Sequence, residues 1–310
     1  MSTKELIARW NSTAENDRAS ERIFNICKYG GVLSMDHSPF GRLEGDLIDF
    51  RGYPAHRILV KDVVLKDIDL SYADFSSSWM ETNRFENCLF IKTDFTDVPD
   101  HGNTFDQCEF LNCNFKLAVL GYKGSRYHNC IFKECGFQRT NFVRPEFVNT
   151  DFINCRLKRI DFNASSFENC KFEGLLNDVW FRGAFPSRSL AEHFGQPKIN
   201  KMLNVSFENA DLVDLTISDG CDLSTVKLKN NGRYFKYDRW LVRLQFLESE
   251  IACWENEHHK RQADKFVSVS MVHAQKQDWE ILNLDDLEKH YGGKDVATKI
   301  IDSLTRAVSS

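Results

Sequence analysis

A large apolar residue, most often phenylalanine, recurs at every fifth position through the middle of the chain. Sixteen of the 25 phenylalanines take part in this series. A helix needs apolar residues about every 3.6 positions and a strand every second position, so a strict period of five indicates a repeat architecture. The series consists of Leu65, Leu70, Phe75, Met80, Phe85, Phe90, Phe95, Phe105, Phe110, Phe115, Leu120, Phe132, Phe137, Phe142, Phe147, Phe152, Leu157, Phe162, Phe167, Phe172, Phe207, Leu212, Ile217, Leu223 and Leu228.

A small residue stands two positions before most members of this series. Eight of the ten cysteines occupy that place, and alanine, serine and threonine fill it elsewhere. Side chains two apart on extended backbone point to the same side. We therefore expect the small residue and the large central residue of each unit to face inward, and the other three residues to face water. The cysteines are Cys88, Cys108, Cys113, Cys130, Cys135, Cys155, Cys170 and Cys221.

Units such as ADFSS (73–77), CLFIK (88–92), CNFKL (113–117), TDFIN (150–154) and ADLVD (210–214) resemble the pentapeptide-repeat family. The resemblance covers roughly residues 60–229. It implies a right-handed quadrilateral β-helix in which four units form the four sides of one coil. Residues 20 apart would then stack, with Phe85 between Leu65 and Phe105. At a spacing of about 4.8 Å per coil, six to eight coils would make a rod about 30–40 Å long.

We expect three parts in the chain: an N-terminal helical cap with a first coil (1–59), the repeat rod (60–229) and a C-terminal α-helical domain (230–310). Interruptions of the period predict three insertions in the rod, at 96–104, 121–129 and 173–204. Pro99 and Gly102 indicate a turn in the first. The third contains four aromatic residues, which leaves open whether it packs on the rod or projects toward a partner.

Composition predicts a cytoplasmic protein with no cofactor. The chain has 310 residues, a formal net charge of −5 and no apolar run near membrane-spanning length. Its first residues lack the apolar region of a secretory signal. Since a thiol suits the small inward place, we interpret the cysteines as reduced packing residues. Cys253, His258 and His259 have a spacing that fits no common zinc pattern.

The sequence contains no phosphate-binding glycine loop, no metalloprotease motif and no nucleophile elbow, so we predict that the protein is not an enzyme. Two functions remain open. One is a protein-binding scaffold with an unknown partner. The other follows from the resemblance, because some pentapeptide-repeat proteins bind DNA gyrase, a type II topoisomerase, and confer antibiotic resistance by protecting it from poisons. Such rods are similar to duplex DNA in shape and charge.

Charge along the rod favours the first function. Residues 61–230 contain 24 acidic and 20 basic residues, a net of −4, which is weak for a duplex mimic. We expect no direct binding to nucleic acid or to a membrane, and a homodimer remains open.

Partner contacts are expected on the insertions, because loops on a rigid scaffold often carry function. Aromatic and arginine side chains are the usual anchors of interfaces. The candidate partner-binding residues are Tyr122, Lys123, Arg126, Tyr127, Trp180, Phe181, Arg182, Phe185 and Arg188.

Overall fold

The computed structural model describes residues 2–307 as a β-helical rod with helical segments at both ends. Within this range each helix is too short or too polar to cross a lipid bilayer. The α-helices are α1 (Thr3–Ala8), α2 (Ala14–Tyr29), α3 (Arg188–Phe194), α4 (Trp240–Ala252), α5 (Glu257–Ala274), α6 (Leu284–His290) and α7 (Lys294–Arg306). Short 3-10 turns cover Arg9–Asn11 and Met35–His37.

The strands are short, because each side of a coil holds one five-residue unit. In chain order they are β1 (Gly31–Leu33), β2 (Ile48–Asp49), β3 (Leu59–Lys61), β4 (Val63–Lys66), β5 (Ile68–Asp69), β6 (Trp79–Glu81), β7 (Arg84–Glu86), β8 (Leu89–Ile91), β9 (Pro99–His101), β10 (Thr104–Asp106), β11 (Glu109–Leu111), β12 (Val119–Tyr122), β13 (Arg126–His128), β14 (Ile131–Lys133), β15 (Asn141–Val143), β16 (Glu146–Val148), β17 (Asp151–Ile153), β18 (Leu157–Asn163), β19 (Ser166–Glu168), β20 (Lys171–Arg182), β21 (Ser206–Val213), β22 (Thr216–Ser218), β23 (Lys227–Leu228), β24 (Tyr234–Tyr237) and β25 (Glu280–Asn283).

Parallel pairing of these strands builds the four sides of the rod. The first side runs β1-β4-β7-β10-β13-β16-β19, and the second runs β2-β5-β8-β11-β14-β17-β20-β21-β23. The third side is held by single bridges, such as those joining Asp74 to Asp94 and Asn114 to Gly136. The fourth side runs β3-β6-β9-β12-β15-β18-β20-β22. The predicted right-handed quadrilateral β-helix is therefore confirmed.

The corners between sides have a left-handed backbone. The residue two after most central residues has positive φ, for example +50° at Asn87, +58° at Asp97 and +49° at Asn149. Asn, Asp and Gly adopt this conformation at the lowest cost. The Asn149 amide also donates to the Asn129 side chain one coil earlier at 3.0 Å, and Asn169 donates to Asn149 at 3.1 Å. Corner residues therefore set the turns and also link successive coils.

Stacked aromatic rings fill the interior. On the second side, Phe90 and Phe110 stack with ring centroids 4.8 Å apart, and Phe110 and Phe132 with centroids 4.6 Å apart. These distances match the spacing of neighbouring strands, about 4.8 Å. Each buried Phe contributes roughly 1.5–3 kcal/mol through burial. The same inward column continues through Phe152 and Phe172.

Two of the three predicted insertions differ in the structure. The prediction of a loop at 96–104 is wrong, because this segment forms strand β9 in regular register, with Asp100 beside Met80 in the inward central place. The predicted insertion at 173–204 begins too early. Its first part is strand β20, which crosses three sides of one coil. The chain departs from the rod after Arg182 and returns at Leu203, which pairs with Glu168.

The N-terminal helices cover the first coil. Trp10 is fully buried, and its indole N–H donates to the carbonyl oxygen of Arg51 at 2.9 Å. The Arg9 guanidinium donates two hydrogen bonds, of 2.9 and 2.6 Å, to the Asp49 carboxylate. Burial would raise the pKa of Asp49, but bonds from Arg9 and Arg51 bring it to about 2. The cap thus pairs each charge that it buries with an opposite one.

The C-terminal part covers the opposite end of the rod. It contains α4–α7 as predicted, together with an antiparallel pair formed by β24 and β25. Gln277 accepts from the backbone N–H groups of Gly220 and Cys221 at 3.0 and 2.9 Å and donates to the Cys221 carbonyl at 2.7 Å. Lys236 donates to the carbonyls of Leu223, Ser224 and Val226. These side chains satisfy backbone groups that an open coil would leave unpaired, which is the hazard of an exposed sheet edge.

The thiols give a test of this interior. Nine cysteines are buried and free, whereas Cys253 is exposed. Burial raises the pKa values of Cys27, Cys170 and Cys221 to about 12, which suppresses the reactive thiolate. We expect one thiol per native chain to react rapidly with Ellman's reagent, and all ten after denaturation in guanidinium. Cys253→Ser should abolish the rapid reaction. Several rapid thiols in the native variant would contradict the stacked interior.

Candidate partner-binding surface

The fourth side of the rod carries a row of aromatic rings on its outer surface, in edge-to-face and tilted contact with one another. Trp79 packs against His101 with ring centroids 4.4 Å apart, and His101 packs against Tyr122 at 4.3 Å. Trp79 remains 44% exposed, whereas His101 is buried beneath its neighbours. Burial lowers the pKa of His101, which favours the neutral imidazole between its two aromatic neighbours. The contact with His101 thus holds the Trp79 side chain in place in the free protein.

Apolar residues extend this row along the rod. Leu59 lies beside Trp79 in the strand register, and Val119 lies beside Pro99. Leu59 is 38% exposed, and Pro99 and Val119 are partly exposed. Four outward positions on successive coils therefore form one apolar strip. At about 4.8 Å per coil it is roughly 14 Å long. The three aromatic rings and the two apolar residues nearest to Trp79 together are called the aromatic strip: Leu59, Trp79, Pro99, His101 and Tyr122.

The segment 183–202 folds back over the middle of the fourth side. Phe185 lies 7% exposed in a cluster with Val143 and Ala164, and residues of α3 close this cluster from outside. Phe194 contacts Tyr122 edge-on, with ring centroids 5.6 Å apart. Arg144 donates to the Phe194 carbonyl at 2.7 Å. The segment is therefore packed on the rod, and it ends the aromatic strip at the Tyr122 side.

The structure divides the predicted site residues. Tyr127 and Phe181 are 1% and 0% exposed, so the prediction that they contact a partner is wrong. Tyr127 stacks between Phe105 and Phe147 as a central residue, and Phe181 continues the inward column of Phe162. Phe185 is also buried and would contact a partner only if α3 moved. These rings looked available because the insertions obscured their place in the period.

The remaining predicted residues occupy two places on the fourth side, one on the first side and one on helix α3. Tyr122 and Lys123 lie at the aromatic strip, where the Lys123 ammonium contacts Glu81 at 2.8 Å. Trp180 and Arg182 lie near the C-terminal end of the same side, with the guanidinium carbon 3.2 Å from the indole centroid. Arg126 lies on the first side. Arg188, on α3, has a side chain that is 92% exposed.

Arg182 is already neutralised by the protein. Its Nε lies 2.9 Å from Asp161, and its Nη1 lies 3.4 Å from Asp219. Trp180 donates to Ser218 at 2.8 Å and contacts His273 of α5. This cluster joins the rod to the C-terminal helices, which makes it a structural junction. The open part of the fourth side is therefore its N-terminal half, around Trp79.

A buried carboxylate lies directly beneath this open part. Asp100 accepts hydrogen bonds from the Tyr127 hydroxyl at 2.7 Å, from Ser125 at 2.8 Å and from the backbone N–H of Gly121 at 3.1 Å, and also from Asn103. Burial raises the pKa of Asp100, against the lowering effect of these bonds. One of the two extra residues of the predicted 121–129 insertion forms a bulge in β12 that delivers the Gly121 N–H to this carboxylate, and the other lies in the corner between Tyr122 and Arg126.

One group of side chains has the proximity of metal ligands. Oxygen and nitrogen atoms of Asp214, Asp286 and His290 lie within 4.8 Å of one another. Both oxygens of Asp214 have partners, however: His290 at 2.7 Å and Lys289 at 3.1 Å. Asp286 accepts from the backbone N–H of Asp214 at 2.7 Å. These contacts fasten α6 to a corner of the rod, and the ammonium group disfavours a cation there.

No protein-family model matches the chain, and no curated protein matches it in sequence. Among solved structures it is similar to HetL, a pentapeptide-repeat protein involved in heterocyst differentiation regulation in the cyanobacterium Nostoc sp. strain PCC 7120. The identity is 14%, over 56% of this chain and 90% of HetL, with a TM-score of 0.25. A pentapeptide-repeat protein of the Arabidopsis thaliana thylakoid lumen is 17% identical over 46% of this chain and 74% of its own, with a TM-score of 0.20.

QnrB1, a plasmid-mediated fluoroquinolone resistance protein, is 11% identical in its full-length form, over 51% of this chain and 84% of QnrB1, with a TM-score of 0.20. Superpositions at these scores assign no residue of this chain a role. The pentapeptide-repeat architecture rests on the chain's own register, in which Phe85 pairs with Phe105 and Phe132 with Phe152, 20 residues apart.

The Asp100 site yields a stability prediction. Tyr127→Phe removes one donor and leaves a buried carboxylate oxygen less satisfied, so it should lower the free energy of unfolding by about 1–3 kcal/mol. Tyr122→Phe is the matched control, since the structure gives the Tyr122 hydroxyl no hydrogen bond within residues 2–307. It should change stability by less than about 0.5 kcal/mol. Urea unfolding followed by far-UV circular dichroism measures both, and equal effects would refute the assigned role of Tyr127.

Proposed function

We propose that this protein is a non-enzymatic scaffold that binds a partner protein through the aromatic strip on the fourth side. The supporting observation is Trp79, an exposed indole in edge-to-face contact with a buried imidazole. Its indole N–H also lies 3.3 Å from Glu81. Because the ring is already held in place, a partner that covers it loses little side-chain entropy on binding. Trp and Tyr are the residues most enriched among binding hot spots.

The shape of the surface fits this role. The outward side of a parallel coil is flat and rigid, and the excursion 183–202 forms a raised boundary at one end of the strip. A partner segment can lie along Leu59 and Trp79 and abut Tyr122. Lys123 and Glu81 neutralise each other beside the strip, so apolar contact dominates recognition. The partner surface that fits best carries aliphatic or aromatic side chains with little net charge.

We expect Trp79→Ala to reduce capture of the partner by at least tenfold, as is usual for truncation of a central Trp hot spot of about 2 kcal/mol or more. Immobilised protein would be incubated with host lysate, and bound proteins quantified by mass spectrometry. Leu111→Ala is the control, because Leu111 is a partly exposed aliphatic residue on the second side. Capture that survives Trp79→Ala and Tyr122→Ala, in variants with unchanged thermal unfolding, would overturn the proposal.

A type II topoisomerase is the partner that the family resemblance names, and it can be tested directly. A rod that imitates duplex DNA needs acidic sides, whereas the third side here exposes several unpaired cations, among them Lys116, Arg139 and Lys158. We therefore expect no effect of micromolar protein on gyrase supercoiling, with or without a fluoroquinolone. Supercoiling rescued from the drug would instead establish the gyrase alternative, and the Trp79→Ala variant would then test whether the aromatic strip mediates it.

A further inference from the structure

Five cations lie together on the third side and its corner with the fourth. They occupy three successive coils, since Gly136 bridges to Asn114 on one neighbour and to Arg156 on the other. All five side chains are exposed. We call them the basic surface: Lys116, Arg139, Arg156, Lys158 and Arg159.

These cations are almost without counter-charges. Within residues 2–307, Arg159 has one carboxylate nearby, Asp178 at 3.8 Å, and both of these side chains are largely exposed. The other four have no acidic group within ion-pair distance in the described part of the chain. Elsewhere on the rod, exposed cations such as Lys123 and Lys171 lie beside Glu81 and Asp151. An unpaired cluster on a chain of net charge −5 is therefore a local feature.

Repulsion within the cluster is substantial. Neighbouring coils are about 4.8 Å apart. Adjacent coils therefore lie within the Debye length of about 8 Å at physiological ionic strength, whereas the outer two coils of the cluster, about 9.6 Å apart, lie just beyond it, so salt screens the repulsion only in part. Any partner that supplies negative charge relieves this repulsion and gains attraction to several cations at once. The coils already hold the backbone positions of these cations close together, so binding requires no rearrangement of the backbone to bring them together.

Neighbouring residues restrict the kind of polyanion that fits. Leu117 and Leu175 border the cluster and are 41% and 52% exposed, which favours a partner with aliphatic groups. The exposed side chains here include no aromatic ring on which unpaired bases could stack, as single-stranded nucleic acids require. Asp74 and Asp94 continue the same side toward the N-terminus and would repel a long polyanion. A short acidic segment satisfies these conditions, whereas an extended phosphate backbone does not.

We propose that the basic surface binds a short acidic segment of a partner protein that also carries aliphatic side chains. Acidic residues flank the basic surface on both sides, Asp74 and Asp94 toward the N-terminus and Asp178 and Asp211 toward the C-terminus, and they would confine the segment to the three basic coils. The surface is distinct from the aromatic strip and does not depend on it, so either site can fail without the other.

The test uses a fluorescein-labelled synthetic peptide of glutamate residues with interspersed leucines, and fluorescence anisotropy with the full-length protein. The triple variant Arg139→Glu, Lys158→Glu, Arg159→Glu reverses the centre of the surface. We expect it to weaken peptide binding at least tenfold, because reversing several contacting charges creates repulsion of about 1.4 kcal/mol or more, the equivalent of that factor. Wild-type binding should also weaken as salt is raised.

A matched control changes the total charge equally at other sites. Lys4→Glu, Lys227→Glu, Lys276→Glu alters three exposed lysines away from the basic surface, and it should leave the peptide affinity within about twofold, since distant surface charges are screened. Neutralisation by Arg139→Gln, Lys158→Gln, Arg159→Gln provides a second variant should the reversal fail to fold, and it should still weaken binding severalfold.

Two further probes complete the design. A peptide with glutamine in place of glutamate should bind wild type more weakly than the acidic peptide does. A labelled DNA duplex should also bind wild type more weakly than the acidic peptide does. The proposal is overturned if wild type does not bind the acidic peptide, or if both triple variants weaken binding equally. It is also overturned if the duplex binds more tightly than the peptide and loses affinity on reversal, because the surface would then be a nucleic-acid site.

Discussion

The spacing between coils is the constraint on which the rest of this structure depends. Parallel strands lie about 4.8 Å apart, and stacked rings such as Phe90 and Phe110 have centroids 4.8 Å apart. One distance therefore satisfies the backbone hydrogen bonds and the aromatic core together. Because inward residues must stack, outward residues must also fall into columns. The aromatic strip and the basic surface are both such columns, so the packing that stabilises the rod also arranges its surface.

The same constraint makes the two ends different from the middle. Within the rod each coil satisfies its neighbour, whereas a terminal coil has backbone groups with no next strand. At the C-terminal end the solution is a set of polar side chains, with Gln277 bonding both an N–H and the C=O of Cys221. The Lys236 ammonium donates hydrogen bonds to three backbone carbonyl oxygens, and burial lowers its pKa. The C-terminal domain thus serves as the end of the β-helix, in addition to forming a helical core of its own.

The period predicted the interior well and the irregular coils poorly. Phe137, Phe152 and Phe167 are buried as the sequence indicates, because nothing disturbs the five-residue count around them. Tyr127 stands five before Phe132, but the change of phase after Leu120 places it in the predicted insertion 121–129 and so hides its inward position. Its partner is Asp100, a charge in an inward central position. A period of apolar residues cannot reveal two polar groups that satisfy each other inside a core.

Phe181 was missed for a different reason. Strand β20 pairs with β18 at a separation of 19 residues, as in Phe162 with Phe181, so one residue has been lost from a corner of that coil. The position of a residue in the repeat is assigned by counting five residues at a time from its neighbours. Here one residue is missing from the coil and the segment 183–202 follows, so the count cannot be continued through Phe181. The aromatic strip, by contrast, was accessible from the sequence. Trp79 and Pro99 are 20 apart, but the interpretation of 96–104 as a loop removed this coil from consideration.

The bulge in β12 accounts both for the polar site inside the rod and for the aromatic contact on its outer surface. Gly121 donates to Asp100 inside the rod, and the bulge that permits this contact turns Tyr122 outward against His101. Gly121 has a φ of +93°, and a Cβ at this position would lie 2.6 Å from Pro145, so the bulge requires glycine. A perfect repeat would present similar sides along its whole length and offer a partner no unique register. By burying a hydrogen-bonded carboxylate in one coil, this rod fixes the bulge in β12, and that bulge gives the fourth side a distinct surface at one defined coil.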